Sequence, residues 1–221
     1  VNSPNNPSGV VLTEECIQGI CQVLEEKQKE YGKEIFLIAD EPYRELVYGD
    51  VKVPYLMNYY DNTLVCYSYS KSLSLPGERI GYIAVSDHIK DWKNVYAAVC
   101  GAGRVLGYVC APSLFQKVIA RCQGQVSDVS VYKKNRDILY NALTEYGYRC
   151  IKPDGAFYLF VESLEKDAAA FSEKAKEFEL LLVPADSFGT PGFVRISYCV
   201  STKQIEDSLP AFKKLAESYG K

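Results

Sequence analysis

Short, unbroken apolar runs set between helix-patterned segments constrain this 221-residue chain more than any other feature. Residues 35–39 (Ile35, Phe36, Leu37, Ile38, Ala39), 63–67 and 80–85 are such runs, and each reads as a strand buried on both faces of a sheet. Between and around them the pattern changes to a helical period. Thr13 is placed as an N-cap with Glu14 and Glu15 in the first turn, Ile17, Ile20, Cys21 and Leu24 form the stripe, and Gly32 ends it. Helices are further expected at 87–100 and 112–123, then a long one from Asp128 to Tyr146 closed by Gly147. The remaining units are shorter. Strands at 149–152 and 156–161 flank Pro153-Asp154-Gly155 as a hairpin, followed by a helix at 167–179, strands at 180–183 and 193–198, and a helix from Ser201 or Thr202 to Tyr219. The alternation makes the chain α/β, divided into residues 1–127, a mainly parallel sheet with helices, and residues 128–221, a smaller α+β portion.

Charge and composition remove several function classes. Lys+Arg number 25 against 28 Asp+Glu, a net charge of -3, which is the wrong sign for a nucleic-acid surface. No apolar run reaches the roughly 18–20 residues of a membrane helix. A single histidine, His88, excludes multi-histidine metal sites and Ser-His-Asp catalysis on any other histidine, and its place beside Asp87 reads as surface. Eight cysteines without a Cys-x-x-Cys pair read as reduced, mostly buried thiols of a cytosolic protein, with no metal site. Position 1 is Val rather than Met, which leaves the natural start open.

Four places carry residues capable of chemistry. Asp40 directly follows the apolar run 35–39, at the carboxyl end of a strand, with Tyr43 three residues on and close enough to share one site; spacing alone favours a helix N-cap with a packing tyrosine. After the second run come Ser68, Ser70, Lys71, Ser72, Ser74 and Arg79. Hydroxyls with a guanidinium suit a phosphate, and a lysine among cationic groups suits Schiff-base chemistry; a solvated polar loop is the other reading. Asn2 to Gly9 is dense in turn residues whose amides could face a ligand oxygen. Arg195, in an alternating strand, is either an outward surface charge or a bidentate carboxylate partner. Gly101-Ala102-Gly103-Arg104-Val105-Leu106-Gly107 is spaced one residue off a dinucleotide fingerprint and follows a helix, so it reads as a plain loop carrying Arg104.

In order, Asn5-Asn6-Pro7-Ser8-Gly9, Asp40-x-x-Tyr43, Ser68-x-x-Lys71, Arg79-Ile80-Gly81-Tyr82 and Arg195-Ile196-Ser197 closely resemble the signature of class I/II aminotransferases. Gly155-Ala156-Phe157-Tyr158 is similar to that family's small-domain turn, and the likeness spans essentially the whole chain. The resemblance implies a fold-type-I enzyme dependent on pyridoxal 5′-phosphate, exchanging an amino group between an amino acid and a 2-oxo acid as a cytoplasmic homodimer. On the same resemblance Lys71 would carry the cofactor and shuttle a proton. Asp40 would pair with the ring nitrogen, and Tyr43 and Asn6 would bond the ring oxygen. Ser68, Ser70 and Arg79 would hold the phosphate, and Arg195 with Asn6 the substrate carboxylate. A carbon–sulfur β-lyase on the same fold would use the same Lys71, Asp40 and Arg195; a non-catalytic sensor or interaction module on that fold is the alternative of another class, and an intact Lys71 argues against it. The family's sequence before the Asn-Pro segment has no counterpart here. The expectation is therefore a C-terminal part of the large domain plus the small domain, binding the cofactor poorly on its own.

Overall fold

Thr13 starts the first helix, α1 (Glu14–Tyr31), its Oγ1 accepting from the Cys16 N–H at 3.3 Å, and Gly32 ends it in the left-handed region at φ 61°. The inward stripe of α1, Ile17 and Cys21, meets Leu37, Ala39, Leu56, Tyr60 and Val65 in one buried cluster. Leu37 and Ala39 belong to β1 (Leu37–Asp40) and Val65 to β2 (Thr63–Ser68); β3 (Gly81–Val85) completes a sheet ordered β1-β2-β3. β1 and β2 are parallel, and β3 runs antiparallel to β2. This computed structural model describes residues 1–221.

The first apolar run is buried on one face, not on two as its pattern implied. Leu37 and Ala39 face α1, whereas Ile38 between them is 56% exposed. Hydrophobicity alone cannot say whether a second layer covers a sheet. Beyond β2 lie α2 (Tyr69–Ser72), α3 (Trp92–Val105) and α4 (Ser113–Arg121). The helix expected from 87 starts only at Trp92, because the Ile89 N–H turns back to Ser86 O at 3.4 Å and Asp91 takes φ 63°. It also runs further. Gly101 to Val105, read as a loop, are helical, and the break comes at Gly107 with φ 88°.

The long helix is α5 (Val129–Glu145), capped by Asp128, whose Oδ1 accepts from the Ser130 N–H at 2.9 Å. After it come β4 (Cys150–Ile151), β5 (Tyr158–Glu162), α6 (Ala168–Lys176), β6 (Val183–Pro184), β7 (Phe193–Ser197) and α7 (Thr202–Glu217). The strands form an antiparallel sheet ordered β4-β5-β7-β6, with β4 and β5 as the expected hairpin. α5 packs on α7, which opens with a reciprocal Ser201–Gln204 capping box. Buried Asn135 on α5 is fully used: its Nδ2 donates to Tyr198 O at 3.1 Å and Val200 O at 2.7 Å, and its Oδ1 accepts from Thr202 Oγ1 at 2.8 Å.

The chain sorts into two units. One comprises Val1–Ser3, Leu12–Glu45 and Lys52–Ser127; the other comprises Pro4–Val11, Leu46–Val51 and Asp128–Lys221. A single cut after residue 127 would therefore misplace two short segments, and main-chain bonds explain why. Gly9 O accepts from both Asp154 N–H and Gly155 N–H at 2.9 Å, and Tyr48 N–H donates to Asp154 O at 3.0 Å. Gly9 is required there: its φ is +70°, and a Cβ would fall 2.3 Å from Pro153 Cβ. All eight cysteines are free thiols, but only Cys21 is buried, against the expectation that most would be. Cys199 illustrates the reason, since Tyr198 beside it takes the interior place and leaves the thiol exposed.

Candidate active site

In the first unit, strand alternation decides which side chains share a face. Asp40 is the last residue of β1 and pairs with Cys66, and Ser68 pairs with Gly81 at the end of β2. Asp40, Cys66 and Ser68 therefore point to the side away from α1. Gly81 lets β3 come close, since a Cβ there would sit 2.2 Å from Tyr67 O. Asn2 reaches Asp40 along the other edge of β1, its Nδ2 donating to Asp40 O at 2.8 Å and to Oδ2 at 3.2 Å. Surrounding protein raises the Asp40 pKa above the ordinary carboxylate value.

A cleft of about 700 Å³ opens over this face, and Asp40, Ser68 and Arg79 all line it, with Tyr82 and Tyr96 among its aromatic walls. Arg79 takes φ 52° and spends one guanidinium bond on Pro76 O at 2.8 Å, leaving the rest of its fork for a ligand. The remaining predicted residues of this unit do not line that cleft. Lys71 sits on α2, the single turn that follows β2, and its Nζ lies 6.0 Å from the centre of the buried Tyr43 ring. Ser70 follows the Ser68 cap, whose Oγ accepts from the Ser70 N–H at 3.2 Å and contacts Ser70 Oγ at 2.8 Å.

In the second unit Asn6 and Arg195 meet. Arg195 Nη1 donates to Asn6 Oδ1 at 2.8 Å, and the guanidinium lies 4.5 Å from the Tyr158 ring centre and 5.0 Å from that of Phe188. Its Nε is buried with no acceptor. A buried donor without a partner costs about 1–3 kcal/mol, and two flanking rings fix the plane in which it points. A planar cation held this way suits a carboxylate.

The model of the family described as aminotransferase class I and II matches residues 1–212. The chain belongs to that family. It is 31% identical over 98% of its length to the probable aspartate aminotransferase of Methanocaldococcus jannaschii, of which it covers 57%. Among solved structures it resembles an amino transferase from Eubacterium rectale, with 63% identity and a TM-score of 0.97 over 100% of this chain and 56% of that one. It also resembles the aspartate aminotransferase of Thermotoga maritima, with 28% identity and a TM-score of 0.84 over 98% of this chain and 55% of that one. The chain thus spans a little over half the length of these relatives. The likeness to fold-type-I aminotransferases agrees with the α/β class read from the sequence.

The family implies pyridoxal 5′-phosphate, and the residues present fit it. A carboxylate whose pKa is raised by the protein packed around it would be met by a protonated ring nitrogen, and a hydroxyl with a guanidinium on the same cleft would meet a phosphate. The sequence reading missed Asn2 as a partner of Asp40, and Tyr158 and Phe188 as the rings around Arg195. No local pattern marks them, because each contact spans many residues. Only the Gly155-Ala156-Phe157-Tyr158 turn pointed toward the second group.

Proposed function

We propose that this chain is part of a pyridoxal 5′-phosphate-dependent aminotransferase that exchanges an amino group between an amino acid and a 2-oxo acid. One observation carries the reading: within a member of this family, Asp40, Ser68 and Arg79 line one cleft, with Lys71 one turn beyond Ser68. When bound, the cofactor supplies a protonated ring that accepts the electron pair released at the substrate Cα. Lys71 Nζ would carry the cofactor and later move a proton at the substrate Cα. Asp40 would keep a proton on the ring nitrogen, while Tyr43 and Asn6 would donate toward the ring oxygen. Ser68, Ser70 and Arg79 would hold the phosphate, and Arg195, oriented by Asn6, the α-carboxylate, so that the breaking bond is presented in a fixed direction.

The first unit is then the remaining part of the large domain, and the second the small domain with its leading helix. We further propose a cytoplasmic homodimer. The free thiols and the exposed Trp92, Tyr96, Val105 and Leu106 support that reading, and no helix is long and apolar enough to cross a membrane. Substituting Lys71→Ala in the full-length protein tests the core of the proposal. Amino transfer to an added 2-oxo acid should fall at least about 10²–10⁴-fold, the contribution of a positioned acid–base group. Borohydride should fix the cofactor on the Lys71 peptide of the unsubstituted protein. Undiminished transfer by the variant would sink the assignment, and pyruvate release from a sulfur amino acid without an acceptor would redirect it to a lyase.

A further inference from the structure

The segment that carries Lys71 cannot hold its own shape. α2 is four residues long, far below the length at which a helix sustains itself, so its carbonyls depend on donors from outside it. The chain that follows satisfies them poorly. Leu73 N–H and Leu75 N–H reach Tyr69 O only at 3.4 Å, and Ser74 N–H reaches Lys71 O at 3.3 Å. The short bonds come from Ser127, far along the sequence and the last residue of the first unit. Its N–H donates to Ser72 O at 2.7 Å. Its Oγ lies 3.0 Å from Ser72 O and 3.3 Å from Lys71 O.

With the single Ser127 hydroxyl proton directed at the Ser72 and Lys71 carbonyls, Ser74 is the donor in the 2.8 Å contact between the Ser74 and Ser127 hydroxyls. Ser74 stands in the left-handed region at φ 54°, where that bond helps to hold it. From the opposite side Tyr67 OH donates to Ser72 Oγ at 2.8 Å, and Ser72 is buried. The Lys71 turn is thus closed by a cap from a distant residue.

We propose that Ser127 is a positioning residue for Lys71, acting through the carbonyls of Lys71 and Ser72. The proposal rests on the reading of Lys71 as the cofactor-bearing residue. Ser127→Ala removes the hydroxyl but keeps the main-chain N–H bond, so the fold survives, and Ser127→Thr restores a hydroxyl.

In the full-length protein loaded with pyridoxal 5′-phosphate, Ser127→Ala should lower kcat about ten- to a hundredfold with KM within about twofold, the effect of a displaced catalytic group. It should also move the pH midpoint of the lysine-bound cofactor's visible absorbance, while Ser127→Thr returns both toward the starting values. An Ala variant with unchanged midpoint and kcat overturns the proposal. So does an equal loss of melting temperature and turnover in both variants, which would mark a purely structural residue. Lys71→Ala run alongside separates the two claims. If that variant loses the absorbance and the turnover while Ser127→Ala behaves as wild type, only the Ser127 role fails. If Lys71→Ala still transfers amino groups, the reading beneath it fails as well.

Discussion

Arg195→Lys isolates what a fixed guanidinium contributes. In the structure Nη1 is committed to Asn6 Oδ1 at 2.8 Å, the rings of Tyr158 and Phe188 lie 4.5 and 5.0 Å away, and Nε is buried without an acceptor. A substrate carboxylate would find a fork already oriented, with one donor serving as the anchor. Lysine keeps the charge but replaces the fork with one compact ammonium, which must choose between Asn6 and the carboxylate. The loss is at least one charge-assisted hydrogen bond, about 1.5–3 kcal/mol, or roughly 10- to 150-fold in kcat/KM. The assay is steady-state turnover of an α-amino acid against its decarboxylated amine. The substitution should raise KM for the acid more than it lowers kcat, and should collapse the preference for acid over amine. A change in kcat/KM below about twofold, or a preserved preference, would refute the assignment of Arg195 to the carboxylate.

Two further outcomes are expected. Burial raises the Asp40 pKa in the cofactor-free fold, so the folded state binds that proton more tightly than the unfolded chain does. The stability it confers is fully present below the unfolded value and is lost as pH rises through the folded one. Asp40→Asn should therefore flatten that weakly acidic part of the cofactor-free stability profile, read from urea midpoints across pH; a profile parallel to wild type would show that burial does not govern this carboxylate. Gly9→Ala imposes a left-handed alanine and drives its methyl onto Pro153, a cost of about 2 kcal/mol or more, so Tm should drop by about 4 °C or more. An unchanged Tm would show that the 4–11 segment does not need glycine there.

Chemistry that acts within a few residues was legible in the sequence. Thr13, Asp128 and Ser201 cap helices because a side-chain oxygen meets an N–H two or three residues on; Thr13 reads as a cap from its residue type, and helices are expected to start at Asp128 and at Ser201 or Thr202. Asp40 was legible for a similar reason, since a strand's end is where its apolar run stops. What failed depends on layers and long-range contacts. The run 35–39 looks the same whether or not a second layer lies over Ile38. Asp87-His88 resembles a helix start, yet the chain makes a turn first and begins α3 after Asp91. Gly101 and Gly103 look like loop residues, but two glycines cost a helix only about 1 kcal/mol each, and the helix continues through them. The pairing of Asn6 with Arg195 spans nearly the whole chain, and family resemblance rather than spacing brought those residues together.

The two-sided grip on Asp40 bears on how freely this region can vary. Its N–H is taken by Val1 O at 2.8 Å, its carbonyl by the Asn2 side chain, and its other edge pairs with β2. Most of that grip is main chain, indifferent to which side chains stand nearby. A substitution at exposed Ile38 therefore leaves in place the main-chain bonds that hold the carboxylate. The sheet around it can diversify among descendants without moving the one atom group that has to stay put.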